Sequence, residues 1–224
     1  MTDQEAAALG REALAEVTPG AVVGLGTGQA ATAFIHALGQ AVKSGLRVTG
    51  VPTSEASAKL ARTLGIPLIA EPTVLDVAID GADEVDPQLD LVKGYGGALV
   101  REKIVAAAAR RFIVLVGPEK LVPALGGRGR LPVEVVPFAV PFCQRRITEM
   151  GYPPLIRTSG ASPVVTDNGN LILDCAVKAI TDPAALDRTL REIPGVVGTG
   201  LFVAMAHAVM VWDQGRVRTL TRAR

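Results

Sequence analysis

Short apolar runs alternate with helical periodicity along the first half of the chain. Residues 3 to 17 carry a helical pattern, Ala21-Val22-Val23-Gly24-Leu25 reads as a strand, Gly26-Thr27-Gly28 as a turn, and Ala30 to Val42 as a second helix. The order then repeats. Arg47 to Val51 predicts a strand, Ser54 to Leu64 a helix, and Pro67 to Ile69 and Val74 to Ile79 two more strands; Ala98 to Arg111 predicts a helix and Phe112 to Val116 a strand. Strands alternating with helices predict an α/β fold with a largely parallel, doubly wound sheet.

The second half is organised differently. Leu125-Gly126-Gly127-Arg128-Gly129-Arg130 shifts to glycine and arginine, with prolines at 132, 137 and 141, and reads as a linker or domain edge. Cys143 to Met150 follows as a helix, and Val164 to Thr166 and Leu171 to Leu173 as strands around an Asp167-Asn168-Gly169 turn. Asp182 caps a helix to Ile193 with Pro183 at its first position. This mixture predicts a smaller α+β unit. The tail carries a hairpin, Val209 to Trp212, a turn at Asp213-Gln214-Gly215, and Val217 to Thr221, assigned back to the first sheet. Arg216, Arg218, Arg222 and Arg224 read as a solvated edge that discourages strand pairing. The expected division is 1–127 with 201–224, and 128–200.

Candidate chemistry concentrates between Ile79 and Val105. Asp80 ends an apolar run, so it is expected at the carboxyl end of a strand, where open α/β sheets bind ligands. Asp83 follows on the same loop. Lys93-Gly94-Tyr95-Gly96-Gly97 then sets a lysine beside a chain that can approach a ligand closely, and Glu102 lies about one turn inside the next helix, near enough to serve as a base. Read singly, Asp80, Asp83, Glu84, Asp86 and Asp90 fit a solvated acidic loop or a cation site, and Asp86 and Asp90 fit turn residues. Gly24-Leu25-Gly26-Thr27-Gly28-Gln29-Ala30 joins a strand to a helix. It suits either a tight turn or a phosphate held by backbone N–H groups and the Thr27 hydroxyl. A dinucleotide fingerprint would need Gly or Ala where Gln29 stands, and no Gly-Lys-Ser/Thr follows, so a small phosphate is favoured over a nucleotide.

Composition narrows the classes. The 224 residues are 49% hydrophobic with net charge +1, enough for a good core but without the field that would hold nucleic acid or an anionic membrane. The N-terminal stretch has acids and helical periodicity rather than a signal-peptide pattern. Ile193 to Trp212 lacks charged residues, yet its glycines, Thr199 and β-branched residues favour two buried strands and a turn. Cys143 and Cys175 lack metal or redox spacing and read as free buried thiols of a reducing cytoplasm. With only His36 and His207, both read as structural, no histidine cluster supports a transition metal.

Taken together, Gly24 to Gly28, Thr53-Ser54, Asp80-Gly81-Ala82-Asp83-Glu84, Lys93-Gly94 with Gly96 to Leu99, and Arg101 to Ile104 resemble ribose-5-phosphate isomerase type A. So do Leu131 to Val135, Thr166 to Asn170 and Ile193 to Val197, in the expected order. The resemblance implies a Rossmann-like larger domain with a smaller α+β domain, and a homo-oligomer, a homodimer or tetramer. It implies interconversion of ribose 5-phosphate and ribulose 5-phosphate in the pentose phosphate pathway without a cofactor. By position it makes Glu102 the proton acceptor and Asp80, Asp83 and Lys93 the groups that handle ring opening and the sugar oxygens. Substrate contacts carried over are Thr27, Gly28, Gln29 and Ala30; Asp80, Gly81, Ala82 and Asp83; Lys93, Gly94, Tyr95 and Gly96; and Lys120. Two features depart from the family pattern: Gln29-Ala30 stand where Ser or Thr is common, and Tyr95 replaces a usual glycine. A sugar-phosphate deaminase would be expected to use a catalytic histidine, and a sugar-phosphate sensor would carry a DNA-binding module; this sequence shows neither.

Overall fold

The computed structural model describes residues 1–222. In chain order the elements are α1 (Asp3–Glu12), β1 (Val22–Leu25), α2 (Gln29–Lys43), β2 (Thr49–Pro52), α3 (Glu55–Thr63), β3 (Val77–Gly81), β4 (Glu84–Val85) and β5 (Leu91–Val92). There follow α4 (Leu99–Ala108), β6 (Phe112–Val116), β7 (Arg130–Val135), α5 (Val140–Glu149), β8 (Pro154–Ile156), β9 (Thr158–Ser159) and β10 (Ser162–Pro163). The last are β11 (Leu171–Ala176), α6 (Pro183–Arg191), β12 (Val196–Thr199), β13 (Leu201–Phe202), β14 (Ala208–Asp213) and β15 (Arg216–Thr221). They form two compact units: Met1–Ala82 with Arg101–Leu121 and the chain from Met205 onward, and Asp83–Val100 with Val122–Ala204.

The first unit is built on a six-stranded sheet in the order β15-β14-β6-β3-β1-β2, parallel except for the β15 edge. Because β2 and β3 lie on opposite sides of β1, the winding direction reverses there, and the carboxyl ends of β1 and β3 flank the switch point where such sheets bind ligands. Alternate residues Val23, Leu25, Val77, Ile79, Ile113 and Leu115 meet Leu9, Phe34, Ile35 and Leu38 of α1 and α2 in one core. A capping box starts α1: the Thr2 hydroxyl accepts from the Glu5 N–H at 3.3 Å and Glu5 Oε2 from the Thr2 N–H at 2.6 Å. The predicted helix over 3–17 ends its α-turns at Glu12 and continues as a 3-10 turn to Glu16.

The tail hairpin forms as expected. Gln214 and Gly215 both take positive φ, 49° and 83°, which matches the twist of the flanking strands. Arg216 and Arg218 are exposed on β15; Arg224 lies outside the described residues. The strand expected at Pro67 to Ile69 is a single bridge between Leu68 and Gly50.

The second unit holds a four-stranded antiparallel sheet, β12-β7-β11-β8, and a three-stranded one, β13-β5-β4. The stretch that reads as a linker runs directly into β7, whose Leu131, Val133 and Val135 are fully buried with Leu173, Cys143 and Ile147. Residues 83–100 and 122–127, expected in the larger part, belong to this unit. The reasons are specific: β5 pairs with β13, and buried Glu84 accepts the N–H groups of Gly126 (2.6 Å) and Arg128 (2.7 Å). Residues 201–204 stay with it for the same pairing. The predicted N-cap of α6 is present, Asp182 Oδ1 accepting from the Ala185 N–H at 2.9 Å with Pro183 leading the helix.

Gly10 marks how closely α1 packs on α2. A Cβ there would stand 2.7 Å from the backbone carbon of Ala33 and the nitrogen of Phe34. Gly10→Ala should therefore destabilise the fold by about 1–3 kcal/mol through overpacking, read as a lower midpoint in urea denaturation; an unchanged midpoint would contradict so tight a contact.

Candidate functional site

In the first unit the chemistry gathers at the carboxyl ends of β1, β2 and β3. Asp80, 3% exposed, turns its Oδ1 towards the glycine turn, where it accepts the N–H of Thr27 at 3.0 Å and of Gly81 at 2.7 Å. Gly26 permits this approach, since a Cβ at that position would fall on the Asp80 carboxyl group and lie 2.6 Å from its Cα. The Thr27 hydroxyl shares a 2.8 Å hydrogen bond with Thr53 Oγ1 and donates to Ser54 Oγ at 2.9 Å, while Ser57 Oγ donates to the Gly26 carbonyl at 2.5 Å.

Gly28, with φ 101°, opens α2 as a backbone N-cap that only glycine adopts readily. The first rung of the helix is Thr32 N–H to Gly28 O at 2.8 Å, so the N–H groups of Gln29, Ala30 and Ala31 have no intrahelical acceptor. No acidic side chain sits in that first turn, and the helix dipole favours an anion there. Gln29 does not aim its side chain at this position; its Nε2 donates to Asp3 Oδ1 at 2.8 Å. Ala30 is buried. Lys120 closes a 3-10 turn, Pro118–Lys120, just past the carboxyl end of β6, and is partly exposed.

Glu102 is 5% exposed and meets Asp80, Gly26 and Thr53 in a narrow, closely packed crevice beneath the β1 and β3 ends. Val105 and Ala106, one turn further along α4, close it from behind. The solvated helix surface that its neighbours Arg101 and Lys103 suggest is not where this side chain lies.

In the second unit Lys93 is 2% exposed, its backbone N–H donating to the Gly200 carbonyl at 2.8 Å and its ammonium standing 5.6 Å from the Phe202 ring centre. Asp83 Oδ2 accepts the Tyr95 N–H at 2.9 Å. Gly94 and Gly97 take positive φ, 100° and 92°, whereas Tyr95 does not, so the loop accommodates a side chain at 95 without backbone strain. The Tyr95 hydroxyl donates to the Arg130 carbonyl at 2.9 Å and the Arg130 guanidinium covers its ring at 4.0 Å. Burial, with the nearby charges of Glu84 and Asp83, pushes its phenol up to about 12 against the opposing pull of Arg130. Gly96 is exposed, and Gly81 and Ala82 are half-buried.

Other acids are structural. Glu84 is the loop anchor already described rather than a solvated residue, Asp86 Oδ1 accepts the N–H groups of Gln88 and Asp90 (both 2.9 Å), and Asp90 Oδ1 accepts that of Ala204 at 2.8 Å. Both cysteines are free and buried, and burial, with the Asp174 charge, lifts Cys175 to about 12. His207 Nδ1 accepts the Phe112 N–H at 3.1 Å, and His36 is exposed. Among the described residues no group of three or more His, Cys, Asp or Glu is placed to hold a metal ion, and no helix is long and apolar enough to cross a membrane. The sequence assigned no role to Ser57 or to the Arg130, Arg157 and Asp174 cluster behind Tyr95; a Thr-Ser pair at a strand end was the one available signal for the hydroxyl network.

Residues 49–215 match the family described as ribose 5-phosphate isomerase A (phosphoriboisomerase A). Ribose-5-phosphate isomerase A of Roseiflexus sp. (strain RS-1) is 53% identical over 205 residues, 89% of this chain and 88% of that protein. The structure of ribose 5-phosphate isomerase A from Methanocaldococcus jannaschii superposes with a TM-score of 0.94 at 39% identity, covering 99% of this chain and 100% of that one. A D-ribose-5-phosphate isomerase solved in complex with phospho-erythronic acid gives 0.95 at 38%, with the same coverage.

The raised Tyr95 phenol has a defined consequence for pH. Its folded value of about 12 lies above the ordinary value of about 10, so the native state keeps a proton the unfolded chain releases. The associated stability is complete below about pH 10 and is lost as pH rises towards 12. Subtracting the phenolate absorbance titration of Tyr95→Phe from that of the parent should leave a transition near 12, and the variant should show a shallower alkaline loss of stability. A difference transition near 10 would mean the ring is not held as described.

Proposed function

The chain belongs to the ribose 5-phosphate isomerase A family, and we propose how its residues interconvert ribose 5-phosphate and ribulose 5-phosphate as an aldose–ketose isomerase of the pentose phosphate pathway. The phosphate rests on the first-turn N–H groups of α2, with Lys120 as a further cation and with the Thr27 hydroxyl turning its proton from Ser54 Oγ to a phosphate oxygen. Since Gln29 is turned to Asp3 and Ala30 has no donor, binding there falls to the backbone and Thr27. The phospho-erythronic acid in the complex of the similar isomerase supports a sugar phosphate as the ligand.

Once the furanose opens, Glu102 takes the proton from C2 of the aldose and returns it to C1, while the hydroxyl proton passes from O2 to O1. The intermediate is an enediolate. One carboxylate serves both carbons because they are neighbours, and the ammonium of Lys93 with nearby N–H donors offsets the charge that develops on oxygen. Asp80 and Asp83 handle the ring oxygen and ring hydroxyl during opening. The observation that carries this reading is the convergence in the first unit of buried Glu102 and the clamped Asp80 beside Gly26 and Thr53. A buried carboxylate needs a reason to be there, and a carbon acid at the switch point supplies one.

The direct experiment supplies ribose 5-phosphate to the purified protein in chelator and follows ribulose 5-phosphate. The parent should form product, and Glu102→Gln should lose about 10²- to 10⁴-fold in turnover while still binding substrate; turnover near the parental rate would remove Glu102 from the role.

We place the protein in the cytoplasm as a homodimer or tetramer, a reading supported by its free buried thiols and, for assembly, by fully exposed Phe138 near half-exposed Phe142. Sedimentation as a monomer at micromolar concentration would end the oligomer proposal.

A further inference from the structure

The second unit carries a polar cluster that the reaction scheme leaves unused. Arg157, whose side chain is only 10% exposed, donates from Nη1 to the carbonyls of Gly94 (2.8 Å) and Tyr95 (3.0 Å). The other edge of the same guanidinium is held by Asp174, with Nε to Oδ2 at 2.9 Å and Nη2 to Oδ1 at 2.5 Å. Asp174 sits on β11, and its Oδ2 also lies 3.6 Å from Nη1 of Arg130, the residue whose guanidinium covers the Tyr95 ring. The backbone of Arg157 is itself fixed, its N–H donating to the Ile172 carbonyl at 2.8 Å and its carbonyl accepting from Val164 at 2.9 Å.

Geometry gives this arrangement a direction. A planar guanidinium gripped along one edge by a carboxylate has little freedom left at the other edge, so the carbonyls of residues 94 and 95 are set by β11. The peptide bearing the Gly94 carbonyl also bears the Tyr95 N–H, and that N–H donates to the Asp83 carboxylate at 2.9 Å. The neighbouring residue is Lys93. We infer that Arg157, held by Asp174, is a positioning residue that fixes the aim of Asp83 and Lys93 through the Gly94–Tyr95 backbone. This rests on the reading that Asp83 and Lys93 act on the sugar.

A lysine at 157 would keep the charge but not the forked grip on two carbonyls and a carboxylate. Arg157→Lys, Arg157→Ala and Asp174→Asn should each lower kcat, Arg157→Ala by about 10- to 100-fold, the scale expected from displacing catalytic groups by about 1 Å. KM should move much less, and millimolar guanidinium should restore part of the kcat of Arg157→Ala but none of that of Asp174→Asn. Amide hydrogen exchange supplies a readout independent of activity: the Tyr95 and Gly97 amides should exchange faster in Arg157→Ala, with Val133 and Val135 of β7 unchanged. If the parent isomerises ribose 5-phosphate and Glu102→Gln does not, while the Arg157 and Asp174 variants match the parent in kcat and in Tyr95 exchange, the inference is overturned and the site reading stands. A kcat loss that guanidinium leaves untouched, with exchange raised evenly across the unit, would also overturn it, because that is loss of fold. Failure of the parent or retention by Glu102→Gln would instead strike the site reading.

Discussion

The contact between Gly26 and Asp80 is the constraint from which the first unit's site follows. Two strands running parallel from a switch point diverge beyond their ends unless something joins them. Here the Asp80 carboxylate does so, accepting the N–H of Thr27 across the gap and of Gly81 on its own strand. Hydrogen bonds to a charged acceptor are worth about 1.5–3 kcal/mol each, and the side chain at 26 must be absent for the carboxylate to reach them. With Thr27 fixed, its hydroxyl meets Thr53 and Ser54 at the β2 end, and the chain turns at Gly28 into α2, whose first N–H groups have no intrahelical acceptor. One missing Cβ thus sets the strand ends, the hydroxyl network and the anion-favouring helix start together.

The second unit solves a similar problem with buried carboxylates. Glu84 and Glu134 are both 0% exposed, a costly position for a charge unless donors surround it. Glu84 takes two backbone N–H groups of the Gly126–Arg128 loop, and Glu134 Oε1 takes the Thr166 hydroxyl (3.0 Å) and the amides of Asn168 (3.1 Å) and Asn170 (2.9 Å). Each pins a glycine-bearing loop to a strand. The segment from Leu125 to Arg130 is consequently an anchored part of the unit, with Gly126 at φ 85° packed on the Lys178 carbonyl.

What the sequence discloses follows from how local each cause is. The strands β3, β6 and β14 are buried on both faces and read as continuous apolar runs, and α1 and α6 carry caps within a few residues of their starts. The site glycines, Asp80 and Glu102 stand out because those residue types are placed against a strand end and a helix start. Non-local causes were not legible. The two-residue strands β4 and β5 exist through pairing with each other and with β13, more than a hundred residues away, so residues 83–100 read as a loop of the first sheet. The β7 strand is hidden by the glycines and arginines that precede it and by Pro132. Arg157 meets Gly94 across 63 residues, and nothing near Arg157 announces that bond.

Tyr95 shows what a departure from a glycine-rich loop costs and returns. A glycine at 95, making four in a row from Gly94 to Gly97, would leave more backbone freedom to be lost on ordering the loop, about 1–2 kcal/mol per residue fixed. The tyrosine removes that freedom in advance: its hydroxyl is tied to the Arg130 carbonyl, its ring is covered by the Arg130 guanidinium, and its own carbonyl is gripped by Arg157. A cation over an aromatic face contributes about 0.5–2 kcal/mol, more as water is excluded, which is comparable to the entropy at stake. The side chain needs no left-handed backbone to do this, so the positive φ values stay at Gly94 and Gly97, where they are free of steric penalty. The ordering is thus completed when the chain folds, and a loop already ordered loses less freedom in any later binding step.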